Sequence, residues 1–526
     1  MRRSLLLLRA AIGIGVGIAP AVRAQELGSI SFPTSGAAAA QADFVRGVLF
    51  MHSFEYESAA EAFRRAQALD PRFAMAYWGE ALTYTHQVWN QQDLESARAA
   101  LRRLEPTPEA RLAAAPTARE RGYLAAVETL YGEGTKAHRD TLYSAAMEQV
   151  AREWPVDDEA AILYATSLFG LSQGVRDVPL YMRAGAIAQE VFRRNQRHPG
   201  AAHMVIHAFD DPVHAPLGLH AARMYSQIAP AAAHAQHMTT HIFLALGMWR
   251  DVVAQNIIAA GPDSSRWQPG HYTAWLLYAY LQQGRREVAR TLLASLAAHA
   301  SGRAPSHGSL ANFRARYVME TERWDSPEAR ALGADAGASG EDDYEYATFA
   351  GGYAAAKRGE RARATAALQR LARRNADVTR TVKPGARGDV VVPVIMELSL
   401  RAEVARQDGK IDCATVLLRH ATALEDGMPA EFGPPAVVAP SHELLGALLL
   451  AAGRPEQAAE QYARALQLQP GRSAALLGSA RSEAARSRTD AAALAYRQLV
   501  ENWRDADTDL AGLAEARARG VSGTTP

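Results

Sequence analysis

The chain has 526 residues, 48% hydrophobic and 21% charged, which excludes a disordered polymer and a simple coiled coil and leaves apolar side chains enough for a large core. Lys and Arg total 57 against 56 Asp and Glu, a formal net charge of +1, so there is no overall basic field for a phosphate backbone and nucleic acid is not an expected partner. Cys413 is the single cysteine, which excludes an intramolecular disulfide and a multi-thiolate metal site; it reads as a small buried residue in a helix.

At the N terminus, Arg2 and Arg3 precede an apolar stretch that runs from Leu5 to Val22 with one break at Arg9, followed by Val22-Arg23-Ala24. This order predicts a secretory signal peptide over residues 1–24, cleaved near Ala24, and a periplasmic or secreted mature chain. Its uninterrupted part, Ala10 to Val22, is 13 residues long. That is short of the roughly 20 needed to span a bilayer, and no later segment approaches that length. Arg2-Arg3 with Leu5 and Leu6 also loosely matches a twin-arginine export signal, so either export route stays open. Loss of residues 1–24 removes four arginines and no acid, moving the formal charge from +1 to −3. Gly13, Gly15 and Gly17 sit inside this leader and follow no strand, so they are no nucleotide loop. Residues 25–39 read as a flexible mature N terminus.

From Ala40 a 34-residue period sets in. Gly47, Phe50, Ala59, Phe63, Ala66 and Pro71 occupy positions 8, 11, 20, 24, 27 and 32 of a unit that starts at Ala40. Gly446, Leu449, Ala458, Tyr462, Ala465 and Pro470 repeat the same offsets near the other end, and weaker copies surround Leu277, Ala364 and Ala492. Small residues recur where two helices approach closely, bulky ones fill the space between, and proline stops the second helix. The pattern resembles the tetratricopeptide repeat (TPR). It predicts an all-α, right-handed TPR-like α-solenoid of antiparallel helix pairs. The one β-branched run, Val390 to Val392, is demoted as a strand by Pro393.

The expected organisation is an N-terminal repeat block over 40–299, a middle block over 300–425, a loop at 426–440, a C-terminal pair of repeats over 441–517 and a disordered tail at 518–526. Pro/Gly/Ala-rich stretches at Glu105–Thr117, Ala300–Gly308, Ala331–Gly340 and Asp426–Ser441 read as surface loops between groups of repeats.

Nine of the 16 histidines lie between His198 and His271. His203, His207 and Asp210 are spaced i, i+4, i+7, and His234, His237 and His241 i, i+3, i+7, so each set shares one helix face. His237 and His241 lie 34 residues after His203 and His207, so successive repeats, 199–266, carry imidazoles at the same register positions, 5 and 9 of each first helix. His271, in a third repeat, extends the row. Imidazoles and a carboxylate on packed helices are the donor set of a divalent transition metal: zinc, iron, manganese, nickel or copper. The expected ligands are His203, His207, Asp210, His237 and His241, with His234 and His271 as outer candidates. Met204, Met224, Met238 and Met248 nearby would favour copper but read first as packing. The competing arrangement is metal-free, the histidines bonding one another, backbone carbonyls or a peptide carboxylate. One flaw in the register is Gln236, Thr239 and Thr240, which stand where apolar residues are expected.

His52 and His86 are also 34 apart; each reads as a cap on the inner end of a helix. Tyr77, Trp78, Tyr84 and Trp89 read as interhelical core. Gly170-Leu171-Ser172-Gln173-Gly174 matches a nucleophile elbow in letters, but a helix rather than a strand precedes it. His442-Glu443 opens an ordinary helix of a consensus repeat.

The stretch His198-Pro199-Gly200-Ala201-Ala202-His203 through His207-Ala208-Phe209-Asp210-Asp211-Pro212, then His237-Met238 and His241-Ile242-Phe243, resembles a group of exported bacterial TPR proteins that share a histidine-rich helical pair. Ala74-Met75-Ala76-Tyr77-Trp78-Gly79-Glu80-Ala81 resembles the same group. The resemblance implies the fold, and that positions 5 and 9 line a concave groove; no activity is established for the group, so no catalytic role is carried over. The expectation is therefore an exported scaffold that binds a protein, peptide or small ligand in its groove, the histidines forming either a metal-free polar lining or a divalent-metal site. The alternatives are a metal-dependent hydrolase or oxidoreductase with Asp210 or Asp211 as ligand or base, and a metal-free assembly protein.

Overall fold

The computed structural model describes residues 26–299, 310–334, 341–379 and 381–520. The leader at 1–24, the loop core Ala300–Gly308 and the tail beyond 520 lie outside these residues. Among the described residues the chain is all-α, a TPR-like solenoid; the strands Thr85–His86 and Gln91–Gln92 form one two-residue antiparallel bridge. Helices pack as consecutive antiparallel pairs, such as Ala38–His52 with Tyr56–Leu69, Pro199–Phe209 with Ala215–Ile228, and Ala233–Ala245 with Trp249–Ala260.

One packing device recurs along the period. The Phe63 ring lies between Gly47 and Gly79 of two successive first helices, and a Cβ on Gly47 would stand 2.7 Å from it. Tyr462 repeats this between Gly446 and Gly478, with a Cβ on Gly446 falling 2.9 Å from the ring. An alanine at these positions would overlap the aromatic, so close approach of backbones is what the small residue provides. Helix starts are set by local chemistry. Asp157 accepts from the backbone N–H of Glu159 and Ala160, Thr117 and Glu120 form a capping box, and His198 Nδ1 accepts from Ala201 N–H ahead of Pro199.

The first helices form an inner layer and the second helices an outer one. Every residue of Pro199–Phe209 is buried, as is His234 to Ala245, whereas Ala215–Ile228 and Trp249–Ala260 keep an exposed face. The inner layer is covered because distant parts of the chain return to it. The turn after Ala38–His52 touches the histidine-bearing repeats, with Tyr225 Oη donating to Ser53 Oγ at 3.3 Å and His234 N–H donating to Glu55 Oε1 at 3.2 Å. The loop around Phe432 and Gly433 packs on His241 and Trp275. The C-terminal repeats join the same body: Trp249 Nε1 donates to Gly471 O at 3.0 Å, and Ser473 N to Gln282 Oε1 at 2.9 Å.

Several expectations are corrected. Residues 26–37, expected as part of a flexible mature N terminus, run extended against the repeats: Leu27 and Phe32 are buried, and Ser29 N donates to Arg197 O at 2.9 Å. The stretch Glu105–Thr117 contains a helix, Pro108–Ala114, capped by Thr107. Val390 to Val392 lie in the helix Gly388–Gln407, which passes through Pro393; the Pro393 carbonyl accepts from Asn375 Nδ2 at 2.9 Å. The helix Pro327–Ala334 takes the start of the next predicted loop. The 426–440 loop is present, but its end turns inward, burying Val437 and Val438. The final helix, Leu513–Gly520, includes residues 518–520 of the expected tail. Cys413 is exposed, on the outer helix Ile411–Asp426, because its position falls on that helix's solvent face.

Candidate metal centre

The inner helices Pro199–Phe209 and Ala233–Ala245 bring the predicted histidines together, but not as one five-residue site. His203, His207 and His234 form one group of ligand atoms within 4.8 Å of one another, and His237, His241 and His271 form another. Asp210 stands between the two, grouped with His207 and His241. His234 and His271, the outer candidates, are thus full members of the triads. The groove expectation is corrected too: His203 and His237 have no exposed surface, and His271 alone of the six rings is exposed.

The hydrogen bonds at Nδ1 fix the tautomers. His203 Nδ1 lies 2.6 Å from the carbonyl oxygen of His52, which only accepts, so Nδ1 carries the proton. His237 Nδ1 lies 2.7 Å from Asn256 Oδ1, and the Asn256 amide nitrogen donates to Val252 O at 3.0 Å, which fixes that oxygen as the acceptor. His241 Nδ1 donates to Asp210 Oδ2 at 3.0 Å, and His207 Nδ1 lies 3.5 Å from the same oxygen. Each of these rings therefore turns an Nε2 lone pair inward. This is how metal-ligating histidines are held, with Nδ1–H on a carbonyl or carboxylate fixing the ring.

Three of the Nε2 atoms, on His203, His207 and His234, are buried and have no hydrogen-bond partner. In the second triad His237 Nε2 and His241 Nε2 face each other at 3.2 Å. With both Nδ1 positions protonated, two lone pairs confront each other there. A tetrahedral ion with metal–nitrogen bonds of about 2.0–2.1 Å sets its ligands about 3.3 Å apart, the separation seen. Burial holds His203, His234 and His237 well below the ordinary imidazole value and lowers His241, the last opposed by its bond to Asp210, so charging the rings is disfavoured. These buried His/Asp groups can hold a metal ion.

Sequence reasoning missed the residues that complete the setting. Arg176 donates to Asp210 Oδ1 at 2.6 Å, Asp211 Oδ2 at 2.7 Å and Ala208 O at 2.7 Å. Burial alone would raise the Asp210 carboxyl; bonds from His207 and His241, with Arg176, hold it well below the usual range. Asp211 spends its carboxylate on Arg176, His214 and the next turn's backbone, which leaves no role as a base.

The aromatic shell comes from far more distant parts of the chain. The ring of Phe54 stands 4.2 Å from His203 and 5.6 Å from His234, and Phe432 stands 4.8 Å from His241. Phe54 has a φ of +54°, a left-handed conformation costing roughly 1–2 kcal/mol for a side chain of this kind, and that turn directs its ring onto the imidazoles. Of the predicted core aromatics, Trp78 is fully buried, but Trp89 is partly exposed and edges onto His234 at 6.0 Å. Met204 and Met238 belong to the apolar core.

His52 is corrected from a helix cap. Its Nε2 lies 2.7 Å from Glu159 Oε2, while His198 Nε2 lies 3.1 Å from Glu159 Oε1, a buried imidazole–carboxylate–imidazole triad beside His203. Burial opposes the Glu159 charge, but the two imidazoles hold that carboxyl well below its usual range. His52 also lines a small cavity of ≈ 40 Å³ with Phe54, Tyr56, Tyr143, Leu163 and Met204. His86 stacks on Tyr56 at 4.0 Å and takes no part in the triads. Ser172 ends a helix with its Oγ donating to Phe169 O at 2.6 Å, so it is no nucleophile. His442 is buried against Gln461 at 2.9 Å, and Glu443 pairs with Arg472.

No family model and no curated protein matches this chain. Among solved structures it is similar to yeast Tom70 at 13% identity, over 92% of this chain and 96% of that one, with a TM-score of 0.28. It is similar also to the TPR domain of P58(IPK) at 12% identity, over 93% and 100%, with a TM-score of 0.19. Superpositions this loose carry no argument; the helix pairs establish the architecture by their own contacts.

Proposed function

We propose that this chain is an exported TPR-like protein that holds a divalent transition-metal ion in the closed interior of its superhelix and presents its outer helices to a protein or peptide partner. The observation that carries the metal is the set of three buried, unpartnered Nε2 atoms on His203, His207 and His234. Leaving buried ring nitrogens unpartnered costs about 1–3 kcal/mol each, and a shared cation satisfies all three at once. A metal-free assembly role supplies nothing for these atoms. Zinc, cobalt, iron, nickel, manganese and copper all suit imidazole in this setting to differing degrees. The recognition role is supported by architecture, since helical-repeat surfaces are extended binding surfaces, and the interior of this one is already filled.

The test is elemental analysis of the mature protein, stripped with chelator and reloaded with zinc. Stoichiometric metal that survives dialysis and is lost in the His203→Ala/His207→Ala variant is the expected result; metal-free protein after loading overturns the reading. Export is tested by mass spectrometry of the processed N terminus, expected at Gln25 of the sequence.

A metal-dependent enzyme is a second reading, favoured by the small, water-sized cavity beside Phe54 and Met204, on whose wall His52 is backed by Glu159. An imidazole oriented by a buried carboxylate is the arrangement of a general base. Turnover of an ester by the zinc-loaded protein that falls at least about 100-fold in His52→Ala is the result it requires.

A further inference from the structure

The five residues expected to share one ion are divided by Asp210 into two triads, and the division has a chemical reason. Both histidine contacts of Asp210 are through Nδ1, the side of the ring away from each triad: 3.0 Å to His241 and 3.5 Å to His207. Its other oxygen is held by the Arg176 guanidinium at 2.6 Å. A carboxylate already neutralised by a buried arginine is poorly placed to coordinate a further cation, and well placed to orient one ring of each triad.

We propose that the centre takes two metal ions, one on His203, His207 and His234 and one on His237, His241 and His271, with Asp210 as the positioning residue that both share. The inference rests on the metal-binding reading above. The first site is closed, its three rings buried under Phe54. The second has an exposed ring, His271, so it is the site that exchanges its ion with solvent and keeps a coordination position open to a small ligand such as water or an anion. Each triad supplies three imidazoles, the ligand number of catalytic rather than structural zinc sites. Because Asp210 orients His207 and His241 together, removal of its charge loosens a ligand in each site.

The experiment is a cobalt(II) titration of the chelator-stripped full-length mature protein, followed by visible d–d absorption and by elemental analysis after dialysis. Two equivalents are expected, with the exposed site filling and releasing faster. His271→Ala is expected to retain one, and His234→Asn is expected to retain the other. Asp210→Asn is expected to keep both ions while weakening each by about 10- to 100-fold. Because His271 is exposed, its variant folds independently of the answer, and the two-step titration of the unaltered protein does not depend on any variant. One equivalent, abolished by either histidine variant, overturns the two-ion proposal and leaves a single metal site standing. No bound cobalt overturns both. Complete loss of metal in Asp210→Asn, with the fold intact by circular dichroism, makes Asp210 a ligand and overturns its positioning role.

Discussion

The histidine-bearing repeats and the C-terminal pair obey the same 34-residue rule and use it to opposite ends. At position 9 of the first helix one pair of repeats carries His207 and His241, each 2% exposed. The other carries Ala447 and Arg481, both exposed. The register is identical, and each region uses a glycine for close approach, Gly446 and Gly478 around Tyr462 in one and Gly218 against Ile242 in the other. What differs is what returns to cover the inner face. Phe54 and Phe432 close over the histidines, while Arg481 stays 44% exposed and reaches Glu515 at 2.8 Å on the surface. The repeat decides which side chains face the interior of the curve; long-range closure decides whether that interior is water.

The largest test of this contrast compares two arginines. Arg176→Ala strands Asp210 and Asp211 as buried charges and is expected to cost about 3–5 kcal/mol of unfolding free energy by urea denaturation. Arg481→Ala, which breaks a half-exposed pair, is expected to cost less than about 1 kcal/mol. Equal losses would erase the distinction between the two regions.

Acid titration sharpens it. His203, His234 and His237 are held below their ordinary value of 6.5 in the fold, so below that pH the unfolded chain binds more protons than the native one and stability falls as pH falls. The expected slope for metal-stripped protein is about 1.4 kcal/mol per pH unit for each of the three once below pH 6.5. Asp210 and Glu159, depressed in the fold, keep their stabilisation above the carboxylate range and lose it on further acidification, so the loss continues in the same direction. A flat profile between about pH 7 and 5 would place these rings in water.

A third comparison tests what the two regions share. A Cβ on Gly218 would lie 2.7 Å from Ile242, and one on Gly478 would overlap Tyr462. Gly218→Ala and Gly478→Ala are therefore each expected to destabilise by about 1–3 kcal/mol. The smallest effect belongs to Cys413→Ser, expected to change stability by less than about 0.5 kcal/mol, with native Cys413 fully labelled by a thiol reagent.

Register was legible because it is local. The spacing of His203, His207, Asp210, His237 and His241 places them on matching faces of adjacent helices, and His271 continues the row, as observed. The apparent flaw at Gln236, Thr239 and Thr240 resolves through hydrogen bonds rather than apolar packing: Gln236 Nε2 donates to Ser226 O, and the two threonine hydroxyls donate to carbonyls one turn back. Phe54, Phe432 and the His52 arm of the Glu159 triad were not legible, because they reach the histidine-bearing repeats only through superhelical closure, which a repeat period does not encode; Arg176 lies one period before Asp210, but a single arginine at that spacing carries no pattern that marks it. The same closure turned an expected open groove into buried rings, and Asp210 from an expected ligand into a residue read as orienting two.

An ordinary repeat stack tolerates the gain or loss of a unit, since each hairpin depends only on its neighbours. Here Phe54 meets His203 across 148 intervening positions of chain. A duplicated or deleted hairpin within that span would carry the aromatic past its target, so the count of units in this part of the chain is frozen by geometry. Lineages of such a protein should vary in their outer helices and loops while keeping that count.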